Sequence, residues 1–256
     1  KKIQNALDVR ALLFDLSREG CTYRLLHGEG DGLSGLIVDV YGDTAVVQCH
    51  SIGMYRQRAL IASALRQVFG KKLKAIYDKS SDALPPKFSA NQSNGYLWIA
   101  TGHDVDAPQI VLENGVKFRV DWQTGQKTGF FLDQRDNRQL LAHYAAGKSV
   151  LNAFCYTGGF SCYALKAGAQ LVHSVDVSGK AMEICAENVE LNMPFSGEHT
   201  GYTEDVLRFL KTTEWKYEVM VIDPPAYAKS MEKRHNAVQG YKRLNAEAMN
   251  KLETGG

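Results

Sequence analysis

The sequence predicts an α/β protein in which a small α+β domain and a β-hairpin precede a doubly wound parallel sheet. From about Gln123 onward, short apolar strands alternate with helices, a pattern typical of parallel sheets with helical crossovers. Before that point strands follow one another, and Asn114-Gly115 separates two apolar runs in the manner of a tight hairpin. The expected domains are residues 1–106, a hairpin linker at 107–122, and the sheet domain at 123–256.

Composition excludes several classes of protein. Hydrophobic residues make up 45% of the 256-residue chain and charged residues 23%, which is typical of a globular protein. No apolar run reaches membrane-spanning length, and no signal peptide is visible. The five cysteines form no C-x-x-C pair, which favours buried thiols in a reducing, cytoplasmic location over disulfides or zinc. The net charge of +2 permits a nucleic-acid partner without arguing for one.

The first domain is expected to mix helices with antiparallel strands. The loop at 27–35 is rich in glycine, but it lacks the Lys-Ser/Thr pair of a phosphate-binding loop and no helix follows it, so we interpret it as a structural turn. The expected elements are a helix from Leu7 to near Gly20, a strand at 23–26, a hairpin at 36–41 and 44–49, a helix at 54–69, a strand at 74–78, a loop at 80–94 and a hairpin at 111–113 and 116–120.

Three arginines lie in the predicted helix at 54–69. Leu60, Ala64 and Val68 recur at helical spacing on its apolar face. Arg56, Arg58 and Arg66 are consistent with a solvated charged face and also with an RNA-binding patch, and a solvated face is the commoner of the two.

In the second half of the chain, the alternation of strands and helices predicts a doubly wound sheet. Ligands of such sheets bind at the carboxyl ends of the strands, which here carry residues 154–159, 176–178, 204–205 and 223–225. The expected elements are helix 132–146, strand 150–155, helix 160–167, strand 171–177, helix 179–192, strand 198–203, helix 206–213, strand 217–222 and helix 239–252.

The first strand of this sheet leads into a glycine turn. A strand that passes through Thr157-Gly158-Gly159 into a helix presents backbone N–H groups to a polar small molecule. Asp176 follows 18 residues after Gly158, near the position at which an acidic residue holds ribose hydroxyls. The pattern therefore indicates a nucleoside-containing cofactor, with an ordinary α/β turn as the alternative. The glycine spacing is not G-x-G-x-x-G, which disfavours a nicotinamide cofactor.

A stiff acidic loop follows the fourth strand. Asp223 comes directly after a buried run, and Pro224-Pro225 fixes the backbone behind it. A rigid carboxylate and carbonyl in this place could hydrogen-bond the edge of a flat base; a strand that simply ends at proline is the alternative.

These motifs together resemble a known family. Asp-Pro-Pro after the fourth strand, a glycine turn after the first and an acid after the second resemble class I S-adenosylmethionine (SAM) methyltransferases that act on nucleobases. Three stretches narrow the resemblance to the bacterial 23S rRNA 5-methylcytosine methyltransferases with an N-terminal PUA domain, and it covers nearly the whole chain. These stretches are Q-K-T-G-F-F-L-D-Q-R at 126–135, N-A-F-C-Y-T-G-G-F at 152–160 and G-Y-K-R-L-N at 240–245.

The resemblance implies a Rossmann-like class I methyltransferase fold, SAM as cofactor, and roles for individual residues. Asp133, Gln134 and Arg135 would lie beside the cofactor, although Arg135 could instead pair with an acid. Asp176 would hold the ribose hydroxyls, with Ser178 next to it. The implied neighbours of the methionine moiety are Phe154, Tyr156, Thr157 and Gly158, and those of adenine are Asp205 and Val206, the latter with a core role as its alternative. Asp223 would face the target base as the catalytic residue.

The resemblance also implies parts that the sequence does not contain. Both ends look cut, with the sheet C-terminally incomplete and the PUA domain absent before Lys1. Methylation of cytosine at carbon 5 needs a thiolate that adds to carbon 6. The family carries this cysteine in a later strand, so it is expected beyond residue 256. None of the five cysteines is well placed, and position 226 is Ala. We therefore expect the chain alone to bind SAM weakly and not to complete catalysis.

The expected partner is large-subunit ribosomal RNA, with a homodimer possible and no membrane. The basic residues expected at the rim of the site are Lys229, Lys233, Arg234, Lys242 and Arg243, for which a solvated charged surface is the alternative. The target cytosine would be flipped out or single-stranded. Two other functions stay open: an amino-group methyltransferase acting on adenine or guanine, and a non-catalytic RNA-binding module. An amino-group enzyme would favour an aromatic residue directly after Pro225, whereas Tyr227 follows one residue later.

Overall fold

The structure is a computed structural model that describes residues 1–105, 107–227 and 234–256. The chain forms two compact units, Lys1–Arg135 and Asp136–Gly256. The predicted separation of a hairpin linker at 107–122 stays a prediction. No helix in the described part of the chain is long and apolar enough to cross a membrane.

The first unit is built on a five-stranded sheet in the order β1-β2-β3-β4-β5, followed by a two-stranded hairpin. Its strand pairs are antiparallel except β3 with β4, which run parallel. The strands are β1 (Thr22–His27), β2 (Leu36–Tyr41), β3 (Thr44–Cys49), β4 (Ala75–Asp78) and β5 (Gly95–Ile99), and the hairpin is β6 (Gln109–Glu113) with β7 (Val116–Val120).

Both predicted hairpin turns are present. Asn114 (φ 51°) and Gly115 (φ 76°) adopt the left-handed conformation that a two-residue hairpin loop requires. The strand β5 was not predicted. The Ser- and Asn-rich stretch before it indicated a loop, and no strand was expected directly after that loop.

The helices of the first unit differ from the predicted ones in three places, one of which is a short helix at Pro86–Ser89 inside the stretch 80–94 that was predicted as a loop. They are α1 (Lys2–Leu13), α2 (Ile52–Arg56), α3 (Arg58–Phe69) and α4 (Pro86–Ser89). The helix predicted at 54–69 is two helices that meet at Gln57, and the first begins earlier because the Ser51 hydroxyl caps it by accepting from the Met54 N–H at 3.2 Å. The N-terminal helix ends at Leu13 rather than near Gly20, and Leu12 and Leu13 are exposed instead of packed.

The second unit contains the predicted parallel sheet. Its order is β10-β9-β8-β11, and every pair is parallel. The first strand along the chain, β8, lies between β9 and β11, so the connections leave it in opposite directions and create a switch point. The strands are β8 (Ser149–Ala153), β9 (Leu171–Asp176), β10 (Glu198–Thr203) and β11 (Val219–Ile222).

The helices before, between and after these strands also follow the prediction, apart from their ends. They are α5 (Arg135–Ala145), which begins at the last residue of the first unit, and α6 (Gly159–Lys166), α7 (Gly179–Glu190), α8 (Val206–Thr212) and α9 (Arg234–Met249). Helix α9 begins at Arg234 rather than at residue 239. Tyr217, predicted as the start of β11, forms an isolated bridge with Leu252 instead.

A buried histidine lies inside the core of the second unit. The Nδ1 atom of His173 is 2.8 Å from the Tyr217 hydroxyl, and the rings of Tyr202 and Trp215 meet the imidazole edge to face. Burial, assisted by the nearby His199, lowers the pKa of His173 to about 4. The imidazole is therefore neutral in the folded protein at pH 7, whereas an unfolded histidine gains a proton near pH 6.5.

This histidine should make the stability of the second unit depend on pH. Between pH 6.5 and about pH 4 the unfolded state binds a proton that the folded state does not. Stability should therefore fall as the pH drops through this window, by at most about 1.4 kcal/mol per pH unit. Urea unfolding at a series of pH values measures this slope. We expect His173→Gln to have a shallower slope, and His143→Gln, which changes an exposed histidine, to keep the wild-type slope. Equal slopes in all three proteins would contradict the account.

Candidate functional site

The carboxyl ends of the four parallel strands lie at one edge of the sheet. Ala153 of β8 is in register with Val175 of β9 and with Ile222 of β11. Thr203 of β10 is in register with Asp176. The segments that follow these strands therefore gather at this edge. They contain the site residues predicted for the second unit: Phe154, Tyr156, Thr157, Gly158, Asp176, Ser178, Asp205, Val206 and Asp223.

The turn after β8 has an unusual backbone. Phe154 (φ 58°) and Tyr156 (φ 49°) are left-handed although neither is glycine, and Gly158 (φ 77°) is left-handed as well. The left-handed conformation of a residue that has a side chain costs of order 1–3 kcal/mol, and it persists only where the surrounding structure holds the backbone in place. Such strain concentrates at functional sites, so this turn is the leading candidate for ligand contact in the second unit.

Asp176 holds this turn in place. One carboxylate oxygen accepts from the Tyr156 N–H at 2.9 Å, and the other accepts from the Ser178 N–H at 2.9 Å. The side chain of Asn188 supports the same turn by donating to the Thr157 carbonyl at 2.8 Å. An ionised carboxylate has about four acceptor positions, so Asp176 can also accept from hydroxyl groups of a ligand.

The glycine turn is packed tightly on its inner side. A Cβ atom added to Gly158 would lie 2.4 Å from the Cys185 Sγ atom, so only glycine fits at this position. The neighbouring Thr157 is buried, and its hydroxyl has no hydrogen-bond partner among the described residues. A buried polar atom without a partner is rare in folded proteins and fits a site that binds a polar ligand.

The segment after β10 begins the helix α8. Asp205 is exposed and caps this helix, with its Oδ1 atom accepting from the Arg208 N–H at 2.9 Å. The Val206 side chain is buried in the core of the second unit, beside Val175 and Phe209. The side chain of Val206 thus has the core role that was its alternative. Its N–H begins the helix and has no intrahelical acceptor.

Two tyrosines form a pair beside the acidic loop. Asp223 is exposed at the end of β11. The Tyr227 ring lies 4.6 Å from that of Tyr241 in α9, and the Tyr227 N–H donates to the Tyr241 hydroxyl at 3.3 Å. A Cβ atom at Gly240 would lie 3.0 Å from the Tyr227 ring, which explains the glycine there. The only sequence signal for this contact is the adjacency of Gly240 and Tyr241.

The other three predicted cofactor residues belong to the first unit. Asp133 pairs with Lys127 at 3.2 Å, both partly exposed, and Gln134 ends the short 3₁₀ helix 132–134. The guanidinium of Arg135 is buried: it pairs with Glu113 at 3.3 Å, donates to the Thr22 carbonyl and lies over the Phe14 ring. Arg135 therefore has the acidic partner that its alternative interpretation required.

The basic residues predicted at the rim divide into two groups. Lys242 and Arg243 are exposed on α9, and neither forms an ion pair with a described residue, while Arg234 is exposed at the start of that helix. Lys229 and Lys233 lie outside the described residues.

The five cysteines are all free thiols, as predicted, and four of them are buried. Burial raises the pKa of Cys49 to about 11 and also raises the pKa of Cys21 and Cys162. The neighbouring Cys185 thiol, together with burial, raises the pKa of Cys155 as well. These four thiols are therefore protonated at pH 7, and Cys185 is fully buried against the glycine turn.

Comparison with known proteins identifies the family. The sequence model of a family described as S-adenosylmethionine-dependent methyltransferase matches residues 87–256, which is more than half of the chain. The chain belongs to this family. The predicted doubly wound methyltransferase fold is thereby confirmed.

Curated relatives within this family carry a more specific name. The chain is 42% identical over 246 residues to the ribosomal RNA large subunit methyltransferase I of Aeromonas hydrophila, covering 94% of this chain and 61% of that protein. It is 39% identical over 238 residues to the protein of the same name from Escherichia coli O157:H7, covering 92% and 59%. The chain thus spans about three fifths of the length of these relatives.

Solved structures of methyltransferases share the fold. A putative SAM-dependent methyltransferase from Streptococcus mutans superimposes with a TM-score of 0.82 at 29% identity, covering 98% of this chain and 63% of that one. A putative methyltransferase complexed with SAH superimposes with a TM-score of 0.80 at 27% identity, covering 99% and 64%. The second neighbour shows that a methyltransferase of this fold binds SAH.

The tight packing at Gly158 leads to a prediction for this methyltransferase chain. Gly158→Ala should destabilise the second unit by the strain of a left-handed alanine, about 1–2 kcal/mol, and by overpacking against Cys185, roughly 1–3 kcal/mol more. It should also weaken binding of SAH by distorting the turn. Urea unfolding measures the first effect and calorimetry the second.

The chain offers a matched control for this substitution. Gly168 is also left-handed (φ 89°), but a Cβ atom there would meet nothing within 4 Å. Gly168→Ala should therefore show the backbone cost alone and leave SAH binding unchanged. Removing the sulfur with Cys185→Ala should reduce the cost of Gly158→Ala. Equal effects of the two glycine substitutions would contradict the packing argument.

Proposed function

We propose that this chain binds SAM at the carboxyl edge of its parallel sheet and acts in the formation of 5-methylcytosine in 23S rRNA. The observation that carries the first part is the strained turn 154–158 tied to Asp176 by the Tyr156 N–H. Family membership supports the cofactor, and the name shared by the curated relatives supports the ribosomal substrate. A cytoplasmic location and a possible homodimer belong to the same proposal.

The residues at this edge fit the polar groups of the cofactor. Asp176 accepts from the ribose hydroxyls, beside Ser178, whose own hydroxyl caps α7 by accepting from the Ala181 N–H. The unpartnered Thr157 hydroxyl lies in the turn that contacts the methionine moiety. Asp205 accepts from the adenine amino group, and Val206 contributes its backbone rather than its buried side chain.

Further assignments complete the proposed cofactor site. Phe154, Tyr156 and Gly158 shape the turn around the methionine moiety. Asp133, Gln134 and Arg135 are proposed as neighbours of the cofactor from the family resemblance. For Arg135 the proposal is indirect, because its guanidinium is committed to Glu113 and its effect would come through the position of the adjacent Asp133 and Gln134.

The proposed reaction sets clear requirements for the target base. The cofactor supplies an electrophilic methyl group when it is bound. Carbon 5 of cytosine becomes nucleophilic only when a thiolate adds to carbon 6. After the methyl group has been transferred, loss of the carbon 5 proton and elimination of the thiolate restore the ring. Asp223, exposed at the end of β11, is proposed to face this base.

The cysteines of this chain do not suit the nucleophilic role. Cys155 lies in the proposed cofactor turn and Cys185 packs against Gly158 of that turn, but both thiols are buried. The family resemblance instead assigns the nucleophile to a cysteine beyond residue 256.

The alternatives lead to different products. Ala226 rather than an aromatic residue follows Pro225 directly, and the ring of Tyr227, one residue later, packs against Tyr241, which disfavours an amino-group methyltransferase. A non-catalytic RNA-binding module would give no methylated product at all.

The test uses the full-length protein with methyl-labelled SAM and unmodified 23S rRNA. We expect mass spectrometry of the digested RNA to find labelled 5-methylcytosine, and Cys155→Ala and Cys185→Ala to retain the covalent adduct with RNA that contains 5-fluorocytosine. Labelled 6-methyladenine or 2-methylguanine would refute carbon 5 chemistry. Loss of the adduct in Cys155→Ala, with the fold intact by circular dichroism, would refute the assignment of the nucleophile.

A further inference from the structure

The first unit carries an uninterrupted basic segment. Residues 44–77 contain six lysines and arginines and no aspartate or glutamate, although the whole chain has 30 basic and 28 acidic residues. The six are Arg56, Arg58, Arg66, Lys71, Lys72 and Lys74. A local concentration of one sign of charge in a nearly balanced chain is the electrostatic pattern expected of a surface that binds an anionic partner.

Three of these arginines line one groove. The groove lies between the helices α2 and α3 and the strand β5, and its volume is about 410 Å³, within the range of ligand-binding pockets. Arg56, Arg58 and Arg66 form its charged walls, while Leu97 and Trp98 of β5 form an apolar wall. Ala59, Ala62 and Ser63 complete the lining with small side chains.

The arginines are arranged for contacts outside the protein. Arg66 lies over the Trp98 ring with its guanidinium carbon 4.6 Å from the ring centroid. Neither Arg56 nor Arg66 forms an ion pair with a described residue, and both are exposed. Arg58 is positioned by Asp78 at 3.8 Å and by the Tyr55 ring at 4.1 Å. The groove thus combines one anchored guanidinium with two that have no acidic partner in the part of the chain that the structure describes.

We propose that this groove binds a single-stranded segment of the RNA substrate. Arg56 and Arg66 contact phosphates, and a base extends the stack that Arg66 forms on Trp98, since guanidinium planes and aromatic rings are the usual stacking surfaces for unpaired bases. The pairing of phosphate-binding arginines with an aromatic wall favours RNA over an acidic protein segment, which would need no stacking surface. The inference rests on the proposed RNA substrate, and it adds contact residues of the first unit to those expected at the rim of the active site.

The test measures the fluorescence anisotropy of a fluorescein-labelled oligocytidylate, about 12 nucleotides long, as it binds the protein in roughly 50–300 mM KCl. Loss of two phosphate contacts should lower the slope of log K against log salt by about 1.4 and the affinity at 100 mM salt by about 25-fold. We expect both the lower slope and the lower affinity in the double variant Arg56→Gln/Arg66→Gln. Arg56→Lys/Arg66→Lys should keep the slope, because it keeps the charge.

Stacking is tested separately from charge. Trp98→Leu should weaken binding by about tenfold at every salt concentration without changing the slope, since stacking is not a counterion effect. The charge-matched control is Lys211→Gln/Lys216→Gln, which removes two exposed cations from the segment before β11, at the sheet edge opposite the carboxyl ends. This control should leave affinity nearly unchanged.

The outcomes separate this inference from the proposed function. Unchanged affinity and slope in Arg56→Gln/Arg66→Gln, or an equal loss in the lysine control, would overturn the groove proposal while wild-type RNA binding still supports the RNA substrate. If Arg56→Gln/Arg66→Gln loses affinity but Trp98→Leu does not, the stacking role is overturned. A wild-type protein that binds SAH but no RNA would overturn both proposals.

Discussion

The carboxylate of Asp176 is the interaction on which the candidate site depends. It accepts from the Tyr156 N–H with one oxygen and from the Ser178 N–H with the other. These two bonds join the turn after β8 to the turn after β9, the pair of neighbouring segments at the middle of the sheet edge. Hydrogen bonds to an ionised acceptor are worth about 1.5–3 kcal/mol, comparable to the strain of a left-handed residue in that turn. The carboxylate can therefore hold the turn in its left-handed conformation.

The rest of the second unit supports this arrangement from behind. Because Gly158 has no side chain, the Cys185 sulfur of α7 can pack directly against it. Asn188, also in α7, donates a hydrogen bond to the Thr157 carbonyl. The helix α7 thus fixes the back of the turn while Asp176 fixes its front. The apolar interior of the sheet, with the neutral His173 bonded to Tyr217, keeps the strands that bear these segments in register. The site is rigid because its supports belong to regular elements rather than to loops.

Much of this could be predicted from the sequence, because the relevant signals are local. Alternating strands and helices specify a parallel sheet, and Asn114-Gly115 specifies a hairpin, since each depends on residues that are close along the chain. The early start of α2 was missed because capping by Ser51 adds residues before the apolar pattern begins. The early end of α1 was missed because its apolar pattern continues past Leu13, where the backbone becomes extended at Phe14. The strand β5 depends on pairing with the distant β4, which no local pattern reports.

The side-chain partners at the site were the least predictable part. The pairing of Arg135 with Glu113 and the ring contact of Tyr227 with Tyr241 join residues 22 and 14 positions apart. The family resemblance predicts Arg135 beside the cofactor, but only the structure shows that its guanidinium pairs with an internal acid. For the arginine groove, the sequence showed the charged helix face but not its neighbour. The proposal that this face binds RNA depends on Trp98 of β5, which the structure places against Arg66.

The most direct test of the central claim is a calorimetric titration of SAH into wild-type protein, Asp176→Ala and Glu183→Ala, the last changing an exposed carboxylate of α7. The account predicts that wild type and Glu183→Ala bind alike, and that Asp176→Ala loses at least tenfold in affinity while keeping its folded circular dichroism spectrum. Binding of equal strength by a folded Asp176→Ala variant would contradict the role given to this carboxylate and place the cofactor elsewhere.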